Sequence, residues 1–388
     1  MHRRKITKAK IHRKEIAKRK NSRGIIGMNK LIIEKDKLDK NIEIIKGLTQ
    51  AKIIAVVKGN GYGLGVLEYT RFLSEKGIDI FALSDVRDAV YISESGFSGR
   101  VLLLTPTNDD EEAEMIIKNR ITTTIGSMTS ALTINNAAAR LNETAQVHIK
   151  IDTGFGRFGF LPDEVIDACT FISTLSNIKV TGAYSHLSFS FSKKPEHIYS
   201  QYRKFINSVE IMRQNGIDPG MLHICNSSAF LRFPQMHLDG VRIGSAFLGR
   251  IPIENVYGLQ RIGFLKSNII ETKELPGKHN IGYANTFKTR NPVRTGIVPV
   301  GYRHGFGIEK SRDTFRLIDL LRYVYNDIKS FNKKSYVRIG DKSAQILGRV
   351  SMYNIVVDLT DIDAKVGDEV VLDANPLLVP IDIEREFI

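Results

Sequence analysis

The residues best placed to do chemistry begin at Lys58, where the apolar run Ile53-Ile-Ala-Val-Val57 gives way to Lys58-Gly-Asn-Gly-Tyr62-Gly. A run of this length reads as a fully buried strand. The glycines behind it form a flexible loop that lets backbone approach a ligand closely. Barrel enzymes place their reacting groups at the C-terminal mouths of parallel strands. A desolvated amine there can form a Schiff base with an aldehyde cofactor. Taken alone, the same lysine could simply snorkel to water.

Comparable signals recur downstream. His148-Ile-Lys150-Ile-Asp152-Thr-Gly-Phe-Gly-Arg157 is a strand that ends in a glycine loop with charge at its rim. Tyr184-Ser185-His186 ends another strand, and His223-Ile-Cys-Asn226-Ser227-Ser228 ends a third at a helix start. Asp239-Gly-Val-Arg242-Ile-Gly244-Ser245 ends the last. Further on, Ile281-Gly-Tyr283-Ala, Val300-Gly-Tyr302 and Gly348-Arg-Val-Ser-Met352 each flank a strand. A lysine, an arginine, a histidine and a Ser/Gly pair at successive strand ends argue for one shared site.

The elements that must position these groups alternate in type. Strands are expected over 53–58, 80–84, 101–105, 122–125, 147–151, 180–185, 221–225 and 239–241. Helical patterns lie between them, over 85–95, 111–118, 162–175 and 197–215. This rhythm predicts an α/β fold, an N-terminal (β/α)8 TIM-like barrel over residues 30–252. After Pro252 the helices drop out. Strands over 267–272, 296–299, 335–339, 344–348 and 354–359 predict a mostly β C-terminal domain over 253–388. One helical insertion near 313–330 gathers Phe315, Leu317, Ile318, Leu320, Leu321, Val324 and Tyr325 largely on one face. That face is expected to pack on its own domain or on a neighbouring subunit.

Composition bounds the partners. The chain has 388 residues, 42% hydrophobic and 25% charged, as in an ordinary globular protein. Its net charge of +14 is concentrated in residues 1–29, where eleven Lys and Arg face the single acid Glu15. This tail reads as a solvated extension, although such arms also bind nucleic acid or anionic lipid. The body is only mildly basic, so nucleic acid is not the expected partner. Cys169 and Cys225 are too far apart for a disulfide framework or a metal motif, which suits a reducing, cytoplasmic setting. No apolar run reaches bilayer length, and neither a membrane partner nor a metal is expected.

Together the segments resemble the alanine racemase family, pyridoxal-phosphate enzymes of fold type III that pair a (β/α)8 barrel with a β domain. The resemblance runs in order from about Lys30 to Leu372. It rests on the lysine loop, D-T-G-x-G-R, the Asn-Ser pair, V-R-x-G, G-Y-A and G-R-V-x-M. It implies that Lys58 carries the cofactor, pyridoxal 5′-phosphate, and serves as one of two catalytic bases. Tyr283, contributed by the second subunit of a homodimer, would serve as the other. Tyr62, Asn226, Ser227, Gly244 and Ser245 would hold the phosphate region, His186 would pack near the ring, and Arg242 would face the ring nitrogen. Arg157 and the Met352 backbone N–H would bind the substrate carboxylate. Lys150 matches a lysine that is carbamylated in relatives.

The implied reaction is the interconversion of L- and D-alanine, which supplies D-alanine for peptidoglycan. Related decarboxylases of this architecture carry an acid where Arg242 stands. Three departures loosen the substrate assignment. The lysine loop has Gly59, Gly61 and Leu64 at positions usually Ala, Ala and His. Arg303-His304 replaces the usual Ala-Asp, and Tyr353 replaces an aspartate. The family's C-terminal tyrosine that reaches the phosphate has no counterpart. Serine, lysine and ornithine therefore remain alternative substrates.

Overall fold

The computed structural model describes residues 29–309 and 311–388, which divide into two compact units. The basic tail, apart from Asn29, lies outside the described residues. One unit spans Glu34–Ile262, and the other joins residues 29–33 to Gly263–Ile388. The first described strand, β1 (Lys30–Ile33), belongs to the second unit.

The larger unit is a closed barrel of eight parallel strands: β2 (Lys52–Val56), β3 (Ile80–Leu83), β4 (Arg100–Leu103), β5 (Thr122–Ile125), β6 (Ala145–Lys150), β7 (Ile178–Tyr184), β8 (Met221–His223) and β9 (Gly240–Ile243). β9 pairs with β2 to close the ring. Each strand falls where the hydrophobic rhythm puts one. Helices such as Val86–Glu94, Asp110–Lys118 and Glu196–Gln214 cover the outside.

Chemistry divides the barrel interior. On the β2–β4 side Ile54, Val56, Ile80, Ala82 and Leu102 form an apolar cluster. On the β6–β9 side His148, Lys150, Tyr184, His223 and Arg242 are all buried. Register explains how they meet, because Lys150 lies opposite Tyr184 and Tyr184 opposite His223 on adjacent strands. Side chains two apart on a strand share a face, so His148 and Lys150 point the same way.

The smaller unit is built on a nine-stranded sheet in the order β11-β14-β17-β16-β15-β18-β10-β1-β19. Its strands are β10 (Phe264–Asn268), β11 (Glu271–Leu275), β14 (Val293–Val298), β15 (Tyr336–Ile339), β16 (Lys342–Leu347), β17 (Ile355–Asp358), β18 (Glu369–Leu372) and β19 (Glu384–Phe387), with β1. A two-stranded ribbon, β12 (Asn280–Ile281) and β13 (Phe287–Lys288), stands apart.

Two expectations change here, and a third narrows. The single strand at 267–272 is two strands, because the chain leaves β10 after Asn268 and re-enters as β11, which pairs with β14 instead. β1 pairs antiparallel with β10 and parallel with β19, not with the barrel. Its apolar run marks a strand but says nothing about which sheet receives it. The inserted helix forms over Leu317–Lys329, yet its apolar face does not pack on its own domain. Leu317, Leu321, Val324 and Ile328 are all more than half exposed, and the buried residue of the helix is Asp319. No described helix is long and apolar enough to cross a membrane.

Candidate active site

The mouth of the barrel opens on a cavity of about 540 Å3. Lys58, Tyr62, Lys150, Arg157, His186, Asn226, Ser227, Arg242, Gly244 and Ser245 all line it. The barrel residues singled out by sequence thus converge on one place.

Lys58 lies one residue beyond β2, after Val57, and starts a turn of reversed hand. Gly59, Asn60, Gly61, Tyr62 and Gly63 all have φ between 54° and 87°. L-residues avoid this region, whereas glycine enters it freely and asparagine more readily than most. The segment is therefore an ordered left-handed turn rather than the flexible loop its glycines suggest. Gly61 N–H donates to Val57 O at 2.9 Å and Gly63 N–H to Gly59 O at 3.0 Å. The Asn60 side chain accepts from Val66 N–H at 3.1 Å, tying the turn to the next helix. Burial, then the charges of Arg157 and Arg242, lower the Lys58 amine below the ordinary lysine range.

Arg242 is 3% exposed and faces no acid among the groups that hold it. Its guanidinium donates to the carbonyls of His223 (3.0 Å), Ser185 (2.7 Å) and Ile224 (3.1 Å). It also lies 2.7 Å from His223 Nδ1. A guanidinium only donates, so that nitrogen must accept and the His223 proton must sit on Nε2. Nε2 in turn lies 2.9 Å from His148 Nδ1, which fixes the His148 proton on its own Nε2. Both rings are thereby kept neutral. Burial, with Arg242 next, holds His223 well below the usual histidine range and His148 at about 4. Burial moves Arg242 down to about 10, still charged at neutral pH.

Tyr184 is the spacer between cations. The Lys150 amine lies 5.3 Å from its ring centre and the Arg242 guanidinium 5.1 Å, both within cation–π range. The same ring stacks on His223 at 4.7 Å. Burial, then Arg242, pushes the Lys150 amine down to about 8.

Asp152 organises the following loop. Its carboxylate accepts four backbone N–H groups, from Gly154, Phe155, Gly156 and Arg157, at 2.8–3.0 Å. Burial alone would raise its pKa, but these donors overcome that and hold it below the ordinary value. The loop carries Arg157, whose guanidinium sits 4.5 Å from the centre of the Phe155 ring. Phe155 in turn meets His186 edge-on at 5.1 Å.

The far wall is formed by Asn226, Ser227, Gly244 and Ser245. Asn226 caps the helix Ser227–Arg232, its side chain accepting from Ala229 N–H at 3.1 Å. Ser227 Oγ accepts from Gly244 N–H (3.1 Å) and Ala246 N–H (3.3 Å), which leaves its own O–H as a donor. A Cβ at Gly244 would lie 2.4 Å from the Tyr62 hydroxyl, so only glycine allows that ring to lie there.

The remaining two predicted residues, Tyr283 and Met352, lie in the other unit. Tyr283 occupies the tight connection between β12 and β13 and is 69% exposed. Three motif segments gather around it. A Cβ at Gly348 would lie 2.6 Å from Ile281 O, and Tyr302 and Arg303 N–H donate to Ser351 O and Met352 O, each at 3.1 Å. Met352 and Tyr353 are half-exposed beside them.

The alanine racemase N-terminal domain model matches residues 33–252, and the C-terminal domain model matches 263–377. The chain belongs to the alanine racemase family. An alanine racemase of Clostridium perfringens (strain SM101 / Type A) is 33% identical over 353 residues, covering 88% of this chain and 84% of the relative. One from Methanococcus maripaludis is 29% identical over 361 residues, covering 91% of each. The solved alanine racemase of Clostridium difficile 630 superposes with a TM-score of 0.83 at 27% identity, covering 94% of this chain and 97% of that one. The barrel and the β domain are those of this family, and the chain is an isomerase, an amino-acid racemase.

Within that racemase framework, sequence reading assigned no role to His148, Tyr184 or His223. All three stand inside the quoted motifs. Their alternation with Lys150 on β6, and their position at the ends of β7 and β8, was the available signal.

Proposed function

We propose that this racemase interconverts L- and D-alanine with pyridoxal 5′-phosphate held through Lys58, in a homodimer where a second copy supplies Tyr283 and Met352. The observation that carries this reading is the charge of the cavity. Lys58, Lys150, Arg157 and Arg242 line it, and none of the described lining residues is an acid. Such a wall suits a ligand pair that brings a phosphate and a carboxylate.

The residues present fit the cofactor. The Ser227 hydroxyl and the Tyr62 hydroxyl seated over Gly244 suit a phosphate, while the donor-only Arg242 suits an unprotonated ring nitrogen. When bound, the cofactor supplies an electron sink that makes the substrate Cα proton acidic. Inversion needs bases on both faces, Lys58 on one and Tyr283 on the other. The lowered Lys58 amine is nearer the neutral form a base requires. Arg242 keeps electron withdrawal modest, which favours rapid return of the proton and opposes the decarboxylase reading. His148 and His223 hold Arg242 in that role, and His186 and Tyr62 flank the ring and phosphate. Asn226 and Ser245 complete the phosphate wall. Arg157 and the Met352 N–H orient the substrate carboxylate. With its amine at about 8, Lys150 is partly uncharged at neutral pH, the form that takes up carbon dioxide as a carbamate. That negative charge would then steady Arg157.

D-alanine supply for peptidoglycan in the cytoplasm is the role this reading gives the enzyme. A longer or more polar substrate is the second reading. It is favoured by Tyr353 packed against His304 at 5.7 Å, and by Arg303, which is tied to Asp382 at 2.9 Å. One experiment addresses both. In deuterated water with a panel of L-amino acids, inversion with deuterium at Cα is expected first for alanine. Faster exchange of serine, lysine or ornithine replaces alanine as the substrate, and carbon dioxide release rejects racemisation. Visible absorbance lost on borohydride treatment tests the bond to Lys58.

A further inference from the structure

Two arginines line the cavity, and they differ in what holds them. Arg242 spends its donors on three carbonyls and on His223 Nδ1. Arg157 is exposed, and among the described residues its guanidinium meets no acid and no hydrogen-bond acceptor. Its contacts are aromatic. The Phe155 ring centre lies 4.5 Å from it and the Phe158 ring centre 5.5 Å, both within cation–π range. All three side chains line the cavity. The acid nearest in sequence, Asp152, is occupied by four backbone N–H groups of the same loop.

The loop that carries these rings is closed at its base. Phe160 N–H donates to Lys150 O at 2.9 Å, and Asp152 N–H donates to Phe160 O at 2.8 Å. A Cβ at Gly159, where φ is +117°, would lie 2.8 Å from Asp152 N, so glycine is what lets the two arms meet. Phe155 is fixed further. Its N–H donates to Asp152 Oδ1 at 2.8 Å, and its ring meets His186 edge-on at 5.1 Å. That ring thus has supports other than the arginine it faces.

A guanidinium meets rings with its flat faces, while its five N–H donors lie in its plane. Rings can therefore hold the cation without using the donors that a carboxylate partner would consume. An arriving anion finds the fork charged and oriented, with no internal ion pair to displace. We propose that Phe155 and Phe158 are positioning residues, an aromatic clamp that holds Arg157 open for the carboxylate of the amino-acid substrate. The inference rests on the reading of Arg157 as the carboxylate partner, and adds how this chain keeps the guanidinium free.

The test uses holoenzyme and propionate, which has the carboxylate and methyl group of alanine but no amine to react. Calorimetric titration reads its dissociation constant without turnover. Phe155→Leu keeps apolar bulk but loses the π face, and should weaken propionate binding about two- to fivefold. The double variant Phe155→Leu/Phe158→Leu should weaken it roughly tenfold, whereas Phe155→Tyr, which keeps the face, should stay within about twofold of wild type. For alanine, KM should rise in step while kcat changes by less than about twofold, because the carboxylate is held alike in ground and transition state. Arg157→Gln separates the clamp from the reading beneath it. If Arg157→Gln weakens propionate binding and the double leucine variant does not, the clamp is overturned and the carboxylate role stands. If Arg157→Gln leaves binding unchanged, the carboxylate role fails and the clamp falls with it. A Phe155→Tyr variant as weak as Phe155→Leu, or a fall in kcat without a rise in KM, also overturns the proposal.

Discussion

The two units handle their polar groups in opposite ways. In the barrel, Arg242 and Asp152 are buried and held by other groups: Arg242 by three carbonyls and a histidine, Asp152 by four N–H groups. In the β unit, Tyr283, Tyr302, Met352 and Tyr353 are displayed at the surface, 45–69% exposed. The barrel half is set before anything binds, whereas the β half gains meaning only when another surface covers it. That contrast matches the proposed division of labour, in which one copy supplies the cofactor pocket and the other supplies Tyr283.

The sharpest way to break the comparison is at the amine. Lys58→Ala should lower turnover in both directions by ~10⁴-fold or more, because under the proposed mechanism it removes both the cofactor bond and one base. A paired assay from each enantiomer reads it, and residual activity above that level would move the chemistry elsewhere. Tyr283→Phe should be milder, roughly 10²–10³-fold in racemisation from either enantiomer, while Cα deuterium exchange without inversion persists for one enantiomer only. Its melting temperature should not change, since the side chain is already exposed. Exchange lost alike from both enantiomers, or racemisation undiminished, would remove the two-base assignment.

Acid should affect the barrel before the β unit. His148 has its pKa depressed from 6.5 to about 4, so its contribution is complete above pH 6.5 and is lost as pH falls toward 4. Its share is on the order of 3 kcal/mol. His223 and His186, buried near cations, act in the same direction. Urea unfolding across that range, followed by probes in each unit, should show the barrel weakening; a flat profile would mean these rings are already charged. The smallest effect is Gly61→Ala, where φ is +64° and the new Cβ would stand 3.2 Å from the Tyr69 ring. It should destabilise by about 1–2 kcal/mol and slow the enzyme through Lys58 rather than through substrate binding.

Much of this was legible in the sequence where information is local. All eight barrel strands lie where the sequence places strands, and the motifs after five of them, β2, β6, β7, β8 and β9, name cavity-lining residues. What stayed hidden depends on partners distant in the chain. Leu31-Ile-Ile33 falls inside the span expected for the barrel, and only tertiary pairing shows that it is a strand between β10 and β19. His148 and His223 are 75 residues apart, and nothing in either segment reveals their 2.9 Å contact. The helix at Leu317–Lys329 was legible as amphipathic. Its uncovered face was not, because periodicity reports that a face is apolar without saying what meets it.

The left-handed turn after Lys58 carries a consequence for how the amine is aimed. Glycine gives up more backbone freedom on folding than any other residue, about 0.5–1 kcal/mol relative to alanine in regular structure. Three of the five residues from 59 to 63 are glycines, so the fold tolerates a local weakness there to obtain a mirror-image bend. Once formed, that bend is a stiff pedestal. Ligands arriving at the barrel mouth meet a lysine whose backbone direction was settled during folding.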